Sequence, residues 1–157
     1  MLLTTAKIAP PPAPRYQWPR AERPDPVTDA NRIISDDPIY DLAKVREMIK
    51  KHGFVVLNDD TDEAKRGRGR NPLPAPAWSD EEFEAVIMSL TENDHENAQW
   101  CALNVNTYLD CDSYVIRFSR SRKKRSSDPQ QGIKLYVKFG FFPNGSKAVI
   151  CRLHPAY

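Results

Sequence analysis

Past Cys101 the apolar residues of this chain change their spacing: before it they recur every three or four positions, and after it they alternate with polar ones. A period of 3.6 belongs to helices and a period of 2 to strands, because side chains wind around a helix but point to opposite faces of a strand. A chain of 157 residues that reads helix first and strand later is expected to form a single α+β domain. In it, two or three N-terminal helices pack on one face of a twisted antiparallel sheet.

The helical half is readable in detail. Leu42, Val45, Met48 and Ile49 make one apolar stripe behind Asp41, a suitable N-cap, and His52-Gly53 supplies a stop. Phe54-Val55-Val56-Leu57 follows as a short strand. Residues 58–77 turn polar, with Lys65-Arg66-Gly67-Arg68-Gly69-Arg70 and Pro72, Pro74 and Pro76, and read as a mobile basic loop. Ser79 and Glu82 form a capping box ahead of Phe83, Val86, Ile87 and Leu90, the clearest helix of the sequence. A second box, Thr91 with Asp94, predicts a further helical turn that carries Glu92 to Trp100 along a new axis.

In the strand half, Tyr114, Ile116 and Phe118 share one face, as do Leu135, Val137, Phe139 and Phe141. Asn144-Gly145 predicts a hairpin joining the second run to Lys147–Leu153, and the two strands flanking the basic loop Ser119–Gly132 are expected to pair antiparallel. Seven of the fourteen prolines lie in the first thirty residues, at positions 10, 11, 12, 14, 19, 24 and 26. Proline removes backbone donors and forbids helix, so residues 1–36 read as a proline-rich, weakly ordered leader and 37–157 as the domain. Tyr16 and Trp18 within the leader either dock onto the domain or a partner, or belong to an idle tail.

Several classes lack support. No apolar run approaches the roughly 18 residues of a membrane span, and the N-terminus has no secretory h-region, which points to the cytoplasm. Cys101, Cys111 and Cys151 match no zinc or redox spacing and read as reduced thiols. His52, His95 and His154 are scattered, so neither a metal nor a cofactor is expected. The chain has no P-loop, GxGxxG or covalent-hydrolase motif.

Charge is unevenly distributed behind a net +2: residues 79–112 hold nine acids and no Lys or Arg, whereas 113–157 hold ten Lys or Arg against Asp128 alone. A cationic field of this kind attracts polyanions, which makes nucleic acid the leading partner class; alternatively, the acidic and basic segments pack side by side and cancel. The polar face of strand 134–142 carries Lys134, Tyr136 and Lys138, beside a loop with Arg120, Arg122, Lys123, Lys124 and Arg125. Such a surface grips phosphates by charge and stacks a nucleotide on the phenol. RNA cleavage without a metal needs a base for the 2′-hydroxyl, cations for the charge growing at phosphorus, and an acid for the leaving oxygen. His154 is the candidate acid or base, against a plain surface histidine; Tyr136 orients or donates a proton, and Lys134, Lys138 and Arg152 stabilise charge. His95 either pairs with a carboxylate or lies on a surface helix.

The series Ile39-Tyr40-Asp41-Leu42 with its helix, then residues 79–94, then Leu135-Tyr136-Val137-Lys138-Phe139, and finally Val149 to Pro155, resembles the MqsR-like toxins of bacterial toxin–antitoxin systems. The resemblance spans about residues 38–155 and rests on the order of segments rather than on one motif. It implies a RelE-like α+β fold, metal-independent mRNA cleavage and neutralisation by a cognate antitoxin. By the same resemblance Tyr136 matches the active-site tyrosine, and His154 falls near the C-terminal basic residue. Two positions depart from the pattern: Asn97 stands where the family has lysine, and Cys111 in Asp110-Cys111-Asp112-Ser113-Tyr114 where it has glutamine. Other cations, such as Arg117 or Lys138, then take over, or cleavage is lost. The rival readings are a non-catalytic nucleic-acid or partner-binding module on the same fold, and an interaction protein whose acidic helix mimics nucleic acid.

Overall fold

The computed structural model describes residues 18–103, 107–143, 145 and 147–156. Tyr16 and the prolines at 10–14 lie outside the described residues, as does Asn144 of the expected turn. Among the described residues the architecture is α+β, with three helices and a seven-stranded sheet. No helix among the described residues is long and apolar enough to cross a membrane.

Helix α1, Leu42–His52, starts where the Asp41 side chain accepts from the Ala43 amide, and ends at Gly53, whose φ of 75° is the left-handed conformation that glycine adopts without a Cβ penalty. Strand β2, Phe54–Val56, follows. The segment expected to be a mobile loop instead opens with helix α2, Asp59–Lys65. Asn58 caps it by accepting from the Thr61 amide, and Asp59, Asp60 and Asp62 complement the positive end of its dipole. Beyond α2, Leu73 is buried, so the proline-rich stretch is pinned to the core. Helix α3, Asp80–Met88, carries the expected capping box of Ser79 and Glu82.

The expected helical turn at Thr91 forms, with the Thr91 amide donating to Asp94 Oδ2 at 2.7 Å, but it lasts only for a 3-10 turn over Glu92–Asp94. His95–Ala102 is then a strand, β3, and the helical expectation for that stretch is corrected. A strand there pairs on both sides, with β1 (Ile33–Ser35) and β4 (Tyr108–Ser119), and these ladders decide the stretch over its local capping signal.

The two-residue strand β5 (Lys124–Arg125), β6 (Ile133–Phe141) and β7 (Ala148–Pro155) complete the sheet, in the order β1-β3-β4-β6-β7-β2, with β5 pairing with β4. The pairings β4–β6 and β6–β7 are antiparallel as expected, whereas β2 lies parallel to β7, so the sheet is mixed rather than purely antiparallel. One face carries Tyr114, Ile116, Phe118, Leu135, Val137, Phe139 and Phe141, all buried in one cluster with Val45 and Ile49 of α1 and Phe83, Val86 and Ile87 of α3. The other face is covered in part by a second buried cluster of Cys101, Leu109, Cys111, Val149 and Cys151, and is open where Val115, Lys134, Tyr136 and His154 lie.

The folded unit also begins earlier than Asp37. Trp18 is buried, meeting Tyr40 edge-on at 5.0 Å and Phe141 at 4.5 Å between ring centroids. Arg20 reaches the buried Asp110 at 2.7 Å, and β1 joins the sheet, so Trp18, Arg20 and Ile33–Ser35 are held against the domain. Asp112, equally buried, accepts from the amides of Ile39 (3.0 Å) and Tyr40 (2.9 Å) and lies 3.0 Å from His95 Nε2. These two carboxylates are satisfied where they sit, as buried charges must be.

Candidate functional site on the open face of the sheet

Because strand side chains alternate, the residues between the core positions of β4, β6 and β7 point to the open face. Tyr136 is the register partner of both Val115 on β4 and His154 on β7. The Tyr136 and His154 rings stack with centroids 5.4 Å apart. Gln99 Nε2 donates to Tyr136 Oη at 3.1 Å and to Asn97 Oδ1 at 2.9 Å, while Lys138 Nζ donates to Gln99 Oε1 at 3.2 Å. Ser113 Oγ donates to Asn97, whose carbonyl lies at 2.9 Å and Oδ1 at 3.0 Å. The tyrosine is therefore held by a chain of amide contacts running across β3.

Around Tyr136 and His154 opens a groove of about 460 Å³, walled also by Asn71, Glu96, Val115 and Lys134. His154 Nδ1 is 2.9 Å from the Pro155 carbonyl oxygen. A carbonyl only accepts, so this contact puts a ring proton on Nδ1, and Nε2 is the nitrogen that accepts a proton when the ring is neutral. Tyr136 Oη accepts from Gln99, which leaves its own proton free to donate. The groove thus combines a proton acceptor, a proton donor and the exposed Lys134 cation.

The other expected residues separate. Lys138 is buried rather than exposed, turned toward Gln99 behind the tyrosine. Arg152, its register partner, lines a different cavity with Lys138 and Cys101. Arg117 donates to the carbonyls of Pro129 and Gly132, both at 3.3 Å. Arg120 grips Glu82 at 2.5 and 3.1 Å, donates to the carbonyls of Pro74 and Ala77, and covers the Trp78 ring at 4.5 Å. Arg125 pairs with Asp94, and Lys123 comes within 4.0 Å of Glu81. The acidic α3 region and the basic loop therefore cancel at these positions, which leaves Arg122 and Lys124 exposed, lining a separate hollow. His95 pairs with Asp112 from a strand, not a helix.

Glu96, Gln99 and Asn71 were not legible as site residues. A strand period across residues 95–102 is the signal that would have placed Asn97 and Gln99 beside Tyr136. A second cluster was hidden for a similar reason. Cys101, Cys111 and Cys151, far apart in sequence, are all buried, with their sulfurs within 4.8 Å of one another. Hydrogen bonds from Cys111 and Cys151, with Lys138 and Arg152 nearby, pull the Cys101 thiol far below the usual thiol range, while burial pushes Cys111 well above it.

The chain matches no protein-family model, no curated protein and no solved structure.

Proposed function

We propose that this chain is a toxin-type, metal-independent endoribonuclease with a RelE-like fold, acting on mRNA in the cytoplasm and held in check by a cognate antitoxin. The observation that carries this reading is the convergence of Tyr136, His154 and Lys134 in one groove on the open face. His154 Nε2 takes the proton of the 2′-hydroxyl, whose oxygen attacks the adjacent phosphorus. Lys134 offsets the charge that grows on the phosphoryl oxygens, and the 5′-oxygen leaves with a proton donated by Tyr136, which is restored from the His154 imidazolium, giving a cyclic phosphate and a free 5′-hydroxyl. Tyr136 also stacks the nucleotide. Lys138 is a positioning residue, acting through Gln99 on the tyrosine.

The test is induced expression in a bacterial host, with primer extension on total mRNA. The parent should arrest growth and create new 5′ ends, and Tyr136→Phe and His154→Ala should each lower cleavage by roughly 10²- to 10⁴-fold, the usual worth of a positioned acid or base. A parent that binds RNA without creating new ends would overturn the enzyme and leave a binding module on the same fold. That second reading is favoured by the internal pairing of Arg120 and Arg125 and by Asn97 at the family's lysine position, which reduce the cations available at the groove.

A further inference from the structure

We propose that Cys101, Cys111 and Cys151 form a binding site for a thiophilic d¹⁰ metal ion, Zn(II) or Cu(I). The three side chains come from three strands, β3, β4 and β7, and meet in the smaller buried cluster on the sheet face opposite the main core. Two local irregularities bring them together. Gly140, the register partner of Cys111, places no side chain on β6 between β4 and β7. A bulge where Lys138 and Phe139 face Arg152 and Ile150 breaks the alternation of β7, and re-aims Cys151 toward Cys111. The sulfurs of Cys111 and Cys151 end 3.4 Å apart, and all three lie within 4.8 Å. Thiolates bound at about 2.3 Å around one tetrahedral ion stand roughly 3.8 Å apart, so this spacing encloses an ion with only small shifts.

Isolated buried cysteines behave as small apolar side chains, and need no neighbour of their own kind. Three on one spot, beside two cations, ask for more. Lys138 and Arg152 line, with Cys101, Trp100 and Tyr108, a cavity of about 200 Å³ next to the cluster. Three thiolates around Cu(I) or Zn(II) leave a net negative charge, which these cations offset without competing as ligands. Soft sulfur donors favour such ions over Mg(II) or Ca(II). Cu(I) is complete with three thiolates, whereas Zn(II) would keep a fourth position facing the cavity at Cys101. This site shares Lys138 with the tyrosine network but none of the groove residues, so it stands or falls independently of the ribonuclease reading.

The test uses the full chain, reduced with a thiol-free reductant and stripped of metal. One arm titrates Co(II) as a spectroscopic stand-in and then displaces it with Zn(II); the other titrates Cu(I) against a competing chelator. The expected result is one equivalent bound, with thiolate-to-cobalt charge transfer and tetrahedral ligand-field bands in the first arm, or Cu(I) held against the chelator in the second. Each of Cys101→Ser, Cys111→Ser and Cys151→Ser should weaken binding by more than about 100-fold, beyond the loss caused by removing a residue that only supports a ligand. Circular dichroism checks that each variant folds. Should a variant fail to fold, the parent still decides: no ion bound in either arm, or Co(II) bound without thiolate charge transfer, overturns the site.

Discussion

Arg120 joins three parts of the chain through one guanidinium: the carboxylate of Glu82, the backbone of the proline stretch at Pro74 and Ala77, and the face of Trp78. Hydrogen bonds from Arg120 hold the Glu82 carboxyl below its usual range, opposed by partial burial. A carboxyl whose pKa is depressed on folding adds stability above its unfolded pKa of roughly 4.3, and that stability is lost as pH falls through the lower folded value. Replacing Arg120 by Gln should therefore cost roughly 1.5–3 kcal/mol at neutral pH, the usual worth of hydrogen bonds to a charged group. It should also flatten the acid limb of the melting curve, as thermal melts of parent and variant from pH 7 down to pH 3 would show. Equal losses at both ends of that range would mean that Arg120 acts through packing on Trp78 alone.

Among the elements, those whose residues carry their own start, stop and face were legible: α1 with Asp41 and Gly53, α3 with its Ser79–Glu82 box, and the alternating runs of β4 and β6. What stayed hidden depended on partners distant in sequence. The capping signal at Thr91 is satisfied within one turn, and β3 exists because β4 and β1 offer ladders on its two sides. The helix α2 was obscured by the basic and proline-rich residues after it, although Asn58 and three following acids mark its start. Of the site, Tyr136, His154 and Lys134 were readable from the polar face of β6 and the end of β7, while Gln99 and Glu96 needed β3 to be seen as a strand. Gly140 belongs to this scale too: a Cβ there would meet the Asp110 carbonyl oxygen at 2.6 Å and the Leu109 side chain at 3.0 Å. Gly140→Ala should cost about 1–3 kcal/mol through overpacking, lowering the urea midpoint with an unchanged m-value.

At the scale of the molecule, the segment before Asp37 closes one side of the fold rather than trailing from it. Trp18 fills a space between Tyr40 and Phe141, and Arg20 neutralises Asp110, which would otherwise be an unpaired buried charge. Trp18→Ala should cost roughly 3–5 kcal/mol, a fall in Tm on the order of 10 °C for a chain of this size. A shift under about 2 °C, the change left by losing well under 1 kcal/mol, would show that the segment before Asp37 is dispensable for folding. The two ends of the sheet have a further effect. Its long strands, β4, β6 and β7, all lie inside, and the outermost positions belong to β1 and β2, each only three residues long. Short edge strands of this kind give a neighbouring molecule few backbone groups to pair with. The strand-rich half of the protein thus presents its shortest strands at the places where a further strand would have to add.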